Sequence, residues 1–115
     1  MVTGIDHVQV VAPPGGEDAA RAFYGEWLGM TEIPKPPLLA TGGGVWFQCG
    51  AQQVHIGIET GGFVAARKGH PAFLVTGLDA LVAGREVEWD DRIPGVRRCY
   101  AWDPFGNRVE LISSP

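Results

Sequence analysis

The chain has 115 residues and a formal net charge of −4, a length that predicts one domain able to bury a core without disulfide staples. Its 45% hydrophobic and 19% charged residues exclude a disordered chain. Nine basic residues face thirteen acidic ones and no basic run occurs, so nucleic acid is excluded as a partner. No apolar stretch reaches the ~18 residues of a membrane span, and no signal segment precedes the first strand. We therefore expect a cytoplasmic protein with no membrane partner.

The first sixty residues predict a strand, a helix and three further strands. The first strand is rich in β-branched residues and ends at Pro13. In the helix, Ala19, Ala20, Phe23 and Trp27 recur at helical spacing. The predicted helix covers 15–29, and the predicted strands cover 4–12, 30–33, 45–49 and 53–59.

The same order of elements then returns after a connection over 61–69. We predict a strand over 70–76, a helix over 78–83, and strands over 85–89, 98–102 and 107–112, the last two joined by a tight turn at Asp103 to Gly106. Each half reads strand, helix, strand, strand, strand, which indicates a duplicated βαβββ module. The prediction is a single α+β domain over 1–115, with module one at 1–60, a linker at 61–69 and module two at 70–115.

Four polar residues occupy corresponding places in the two modules. His7 lies in the first predicted strand of module one and His70 opens that of module two. His55 lies in the last strand of module one and Glu110 in the last strand of module two. Alternation along the strand places His55 on the face opposite Val54 and Ile56. Imidazole and carboxylate groups suit Zn, Ni, Co, Mn or Fe(II), so the pattern predicts a divalent metal site.

Five stretches resemble one known group of proteins, and together they cover essentially the whole chain. They are IDHVQVVAP, ARAFYGEWLGM, QQVHIGIE, GHPAFLV and DPFGNRVELI. The chain resembles the vicinal oxygen chelate superfamily, which includes glyoxalase I, bleomycin-resistance proteins, fosfomycin-resistance enzymes and extradiol dioxygenases. The resemblance implies two paired βαβββ modules in a curved, open-barrel mixed sheet that holds a metal.

The resemblance also implies a role for each of the four polar residues. His7, His70 and Glu110 match metal ligands of the family, and Glu110 is the candidate catalytic residue. His55 falls where bacterial glyoxalase I has a glutamate ligand, and we expect it to coordinate as well. With one carboxylate left, the two-glutamate mechanism of glyoxalase I does not transfer directly. The expected protein is a metal-dependent isomerase, lyase or dioxygenase acting on a small substrate that chelates the metal through two oxygens.

Bleomycin-type resistance proteins define the alternative class, since they bind a cationic drug without a metal. The net charge of −4 and the aromatic residues Trp46, Phe47, Tyr100 and Trp102 are compatible with such a binder. Arg97, Arg98 and Arg108 could bind a substrate carboxylate, but the expectation for them is surface charge. Small relatives of this kind commonly dimerise, so we expect a homodimer.

Overall fold

The computed structural model describes all 115 residues and contains two compact units, residues 1–65 and 66–115. Each unit is built from four strands and one main helical segment in the order strand, helix, strand, strand, strand. The boundary between the units falls within the predicted connection over 61–69. The predicted α+β class with two βαβββ modules is confirmed. No helix has both the length and the apolar character needed to cross a membrane.

Unit 1 forms a four-stranded mixed sheet in the order β1-β4-β3-β2, with β1 and β4 parallel and the other pairs antiparallel. Its helix begins as a regular α-helix and continues directly as a wider π-helical segment, in which the Leu28 amide donates to the Phe23 carbonyl oxygen. The elements are β1 (His7–Ala12), α1 (Glu17–Ala20), the π-helical segment (Arg21–Trp27), β2 (Thr31–Ile33), a 3-10 turn (Pro37–Leu39), β3 (Val45–Cys49) and β4 (Gln52–Ile58).

Unit 2 repeats this topology, with the sheet order β5-β8-β7-β6 and a parallel pair formed by β5 and β8. The turn before β8 is closed by Asp103, whose buried carboxylate accepts hydrogen bonds from the amides of Phe105 and Asn107. This confirms the predicted reversal at 103–106. The elements are β5 (Ala72–Val75), α2 (Leu78–Val82), β6 (Glu88–Trp89), β7 (Arg98–Trp102) and β8 (Arg108–Ser113).

Each unit has its own core on one face of its sheet, because alternate residues of the strands are apolar and buried there. In unit 1 this face packs against the helix through Phe23 and Tyr24. In unit 2 it packs against Leu78 and Val82 of α2. The buried strand residues are Val10, Ala12, Val45, Phe47, Val54 and Ile56 in unit 1, and Phe73, Cys99, Ala101, Val109 and Leu111 in unit 2.

Two predicted strand limits are wrong in ways that affect the site. The first strand begins at His7 rather than at residue 4, and His70 precedes β5 instead of opening it. Pro71, which follows His70, has no amide hydrogen to give to a sheet ladder, and β5 starts at Ala72. The side chain of His70 therefore projects from the approach to the strand rather than from the strand itself.

Gly44 provides a test of the packing before β3. It has a φ of +87°, and a Cβ at this position would overlap the carbonyl oxygen of Ile56. Gly50 also has a positive φ, of +58°, but a Cβ there would meet nothing within 4 Å. We expect Gly50→Ala to lower the free energy of unfolding by about 1 kcal/mol through backbone strain alone. Gly44→Ala should cost about 1–3 kcal/mol more, because the overlap adds to the strain. If urea denaturation showed the same decrease in the free energy of unfolding for both variants, this account would be contradicted.

Candidate metal-binding half-sites

The two histidines of unit 1 lie together on the sheet face opposite the helix. His7 of β1 and His55 of β4 stack with ring centroids 4.1 Å apart and an interplanar angle of 18°. Trp46 of β3 stacks on the other side of His55, at 3.7 Å and 3°. This stack follows from the strand register, since Trp46 is the cross-strand partner of His55. His55 is thereby held between two rings and is buried, whereas His7 lies at the exposed edge.

Each of these histidines has one ring nitrogen engaged by a polar side chain. His7 Nδ1 lies 2.9 Å from Asp6 Oδ2, which leaves Nε2 as the nitrogen able to coordinate. His55 Nε2 donates to Gln53 Oε1 over 2.8 Å, which leaves the lone pair on Nδ1. Coordination by His55 through Nε2 would require the Gln53 side chain to turn away. Burial lowers the pKa of His55 below its ordinary value, and a positive charge on His7 lowers it further. The ring is therefore favoured in the neutral form that binds metals.

Unit 2 brings its two predicted ligands into direct contact. His70 Nε2 lies 3.0 Å from Glu110 Oε1, although the residues are forty positions apart. The backbone produces this contact, because the Glu110 amide donates to the carbonyl oxygen of Pro71, the residue after His70. His70 Nδ1 in turn lies 2.8 Å from the Lys68 carbonyl oxygen. Both side chains are mostly buried, with exposed fractions of 23% for His70 and 11% for Glu110.

Arg98 of β7 holds the other oxygen of the Glu110 carboxylate. Its Nη1 lies 3.1 Å from Glu110 Oε2 and 3.0 Å from the Tyr100 hydroxyl oxygen. Its Nη2 lies 3.1 Å from Asp90 Oδ2, so one buried guanidinium joins two carboxylates. Asp90 also accepts hydrogen bonds from Arg92, and these hold the pKa of the Asp90 carboxyl well below its usual range. The expectation of surface charge is wrong for Arg98, which is 7% exposed.

A pocket of about 450 Å³ adjoins this network along the loop between β6 and β7. Its apolar wall includes Trp89, Ile93 and Pro94. The guanidinium of Arg97 lies 4.0 Å from the centroid of the Trp89 ring and pairs with Asp79. Arg98 lines the pocket as well as binding Glu110, so a single side chain connects the two features.

The chemistry of the donors in unit 2 fits a divalent cation. With the His70 Nδ1 proton donated to Lys68, both Nε2 and the Glu110 carboxylate are acceptors, and their close approach requires a shared proton or a cation. Two ligands bonded to one ion at about 2.1 Å and about 90° apart would lie about 3.0 Å from each other. A backbone carbonyl on the remote imidazole nitrogen is also the usual support of a metal-binding histidine.

The structure thus brings the predicted residues together as two pairs, His7 with His55 and His70 with Glu110. Neither unit on its own gathers three or more ligating side chains. The convergence of His7, His70 and Glu110 on one ion stays a prediction. The sequence did not predict that Asp6 and Gln53 contact the histidines of unit 1, or that Arg98 binds Glu110. The signal available for Gln53 was its place two residues before His55, on the same face of the strand.

The environment of His55 generates a prediction about pH. Since its folded pKa is lowered, its contribution to stability is complete above the unfolded value of about 6.5 and is lost as the pH falls through the folded pKa. In metal-free protein, an NMR titration should place the His55 midpoint below 6.5, and His7→Gln should move it upwards without abolishing the shift. A midpoint at or above 6.5 would show that burial does not control this ring.

Comparison with known proteins places the chain among others of the same architecture, although no family profile and no curated protein matches it. A crystallised protein from Bacillus anthracis, assigned to the glyoxalase family, is 50% identical, covers 100% of this chain and 98% of its own, and has a TM-score of 0.92. A lactoylglutathione lyase from Agrobacterium tumefaciens is 26% identical over 98% of this chain and 95% of its own, with a TM-score of 0.73. A fosfomycin resistance protein from Listeria monocytogenes shares the fold at 17% identity, covering 100% of this chain and 94% of its own, with a TM-score of 0.69.

The first of these similarities decides the family, because identity at that level extends over essentially the full length of both chains and accompanies the same fold and the same duplicated modules. The chain belongs to the glyoxalase family of the vicinal oxygen chelate superfamily.

Proposed function

We propose that the chain is a divalent-metal-dependent enzyme that acts on a small substrate able to chelate the metal through two oxygens. The ligands proposed are His7, His55, His70 and Glu110, so that each unit supplies one pair. The observation that carries the proposal is the approach of His70 Nε2 to Glu110 Oε1, at 3.0 Å. Each partner also has a second contact that orients it, His70 with the Lys68 carbonyl oxygen and Glu110 with Arg98.

The donor set of three imidazoles and one carboxylate suits Zn, Ni, Co, Mn or Fe, and it includes no thiolate. A bound ion of this kind would polarise a carbonyl or enolate oxygen and stabilise the negative charge that develops there. Four protein ligands would close a tetrahedral zinc site, whereas an octahedral ion would keep two positions for the substrate.

The residues of the chain supply orientation and proton transfer. Arg98 fixes Glu110 Oε2, so Oε1, the oxygen that faces His70 Nε2, would be the atom that receives or returns a substrate proton. The Lys68 carbonyl oxygen fixes the tautomer and the orientation of His70. Trp46 holds the ring of His55 in place by stacking on it. Because the set contains a single carboxylate, Glu110 would act as the only general base among the ligands, in an isomerase, lyase or dioxygenase reaction.

A second candidate function has its own supporting observation. Glu110 already contacts His70 and Arg98 within 3.1 Å, so its carboxylate is satisfied without an ion. A protein of this kind could bind a small aromatic or cationic ligand without metal, as bleomycin-resistance proteins do. The stacked rings of Trp46, His55 and His7 would then provide a flat surface for the ligand.

Metal analysis separates the two candidates. We expect one equivalent of a divalent transition metal per proposed site, either in protein purified without an affinity tag or after titration. His55→Ala should weaken the affinity by at least about tenfold, since it removes one ligand and leaves the core face intact. Gln48→Ala is the matched control, because Gln48 lies on the same sheet but takes no part in the stack.

The outcomes of this titration are distinct. No metal and no uptake would reject the enzyme and support the metal-free binder. Uptake that His55→Ala leaves unchanged would reduce the ligand set to His7, His70 and Glu110. Loss of affinity in Gln48→Ala as well would indicate that the variants disturb the sheet rather than the metal.

We also propose a homodimer with two-fold symmetry, the commonest closed arrangement of soluble oligomers. β1 and β5 each lie at one edge of their sheet, a position that favours association, and Leu74 on β5 is 76% exposed. Light scattering at micromolar concentration should report twice the chain mass of 12.3 kDa. Leu74→Lys should shift the equilibrium towards monomer, and a wild-type protein that is monomeric throughout would refute the proposal.

A further inference from the structure

Arg108 differs from Arg92, Arg97 and Arg98 of unit 2 in having no carboxylate partner. It is half-buried on β8, and its guanidinium carbon lies 4.7 Å from the centroid of the Tyr100 ring. Its Nε is buried without an acceptor, as is that of Arg98, but unlike Arg98 it has no carboxylate in ion-pair contact. Burying part of a guanidinium without an anion is unfavourable, so Arg108 is a candidate to bind a negatively charged group.

Arg98 on the neighbouring strand shows the contrast. Its charge is taken up by Asp90 and Glu110, both within 3.1 Å. Arg92 and Arg97 likewise have carboxylate partners of their own in Asp90 and Asp79. Arg92, Arg97 and Arg98 are therefore each paired with a carboxylate, whereas Arg108 is not.

The position of Arg108 relates it to the proposed catalytic pair. Residues 108 and 110 are two apart on β8 and so lie on the same face of the sheet. Tyr100 is the cross-strand partner of Glu110, and its ring contacts His70 edge-on at 5.4 Å and Arg108 over its face. One buried tyrosine thus separates the cation from the His70 and Glu110 pair.

We propose that Arg108 binds a carboxylate of the substrate, and hence that the substrate is a small carboxylic acid with a further oxygen on a neighbouring carbon. The fork of a guanidinium matches the two oxygens of a carboxylate, and a charged hydrogen-bonded pair of this type orients a small molecule. The second oxygen would then face His70 and Glu110. This inference rests on the proposed function for its catalytic meaning, but the carboxylate site itself is testable without metal.

A purely structural role is the competing account, in which Arg108 serves only to cover the Tyr100 ring by a cation–π contact. That role predicts no dependence of ligand binding on Arg108. It also predicts that lysine, which keeps the charge over the ring, replaces arginine without loss.

The experiment compares glycolate with its neutral analogue glycolamide by NMR titration at constant ionic strength. Both metal-free and zinc-loaded full-length protein are used, with inorganic phosphate as a third probe. Glycolate should bind at least about tenfold more tightly than glycolamide, and Arg108→Gln should remove that difference. Arg85→Gln is the matched control, since it makes the same charge change at an exposed position after α2, and it should alter the affinity less than about twofold.

Arg108→Lys keeps the positive charge but removes the forked geometry of the guanidinium, so it tests that geometry separately. It also replaces Arg108→Gln as the test variant if Arg108→Gln does not fold. We expect it to lose at least about threefold in glycolate affinity, because an ammonium cannot make the paired hydrogen bonds. Glycolate affinity that is unchanged in the folded Arg108 variants, or no tighter than that of glycolamide, would overturn the inference. Phosphate that binds as tightly, with the same dependence on Arg108, would overturn the assignment to a carboxylate.

The result is independent of the proposed metal. Glycolate binding that depends on Arg108, in a protein that takes up no metal, would retain the carboxylate site and reject the metal enzyme. Metal uptake with no effect of Arg108 on glycolate would do the reverse.

Discussion

In the central strands β4 and β8, side chains that face the core alternate with side chains of the opposite face, and both half-sites depend on this alternation. One face of each strand is committed to the core, by Val54 and Ile56 in β4 and by Val109 and Leu111 in β8. A shift of register by one residue would place these side chains in water and the polar ones in the core, so the hydrophobic effect fixes the register firmly. His55 and Glu110 are consequently held on the opposite face. Parallel pairing with β1 and β5 then brings the first histidine of each module near to them.

The fold could be predicted from the sequence because its signals are local. Pro13 ends the first strand, and the turn at Asp103 is closed by the side chain that its sequence indicates. The face of His55 could also be predicted, since alternation is a property of one strand. The approach of His70 to Glu110 could be expected only from the resemblance to a known family, because it depends on the pairing of segments forty residues apart. The change to a π-helical segment after Ala20 also has no signal that we can identify.

Arg98 shows why ion pairs are harder to predict than strands. In the sequence it is one of two adjacent arginines, and adjacent residues of a strand point to opposite faces. Arg97 lies at the exposed end, against Trp89 and Asp79, whereas Arg98 turns inwards between Asp90 and Glu110. A buried pair of this kind contributes little net stability, because desolvation offsets the attraction. Its value is in fixing the orientation of Glu110, which a solvated glutamate would not retain.

The two half-sites differ in charge although their modules share one topology. Unit 1 offers two imidazoles, which are neutral when they coordinate, and unit 2 offers an imidazole and a carboxylate. A divalent ion held by the proposed set would thus keep one unit of positive charge, whereas a set with a second glutamate in place of His55 would neutralise it. A residual positive charge favours anionic oxygen ligands and stabilises an enolate more strongly. Arg108 adds a cation without a carboxylate partner on the face of Glu110, so both proposed features would favour substrates that carry negative charge.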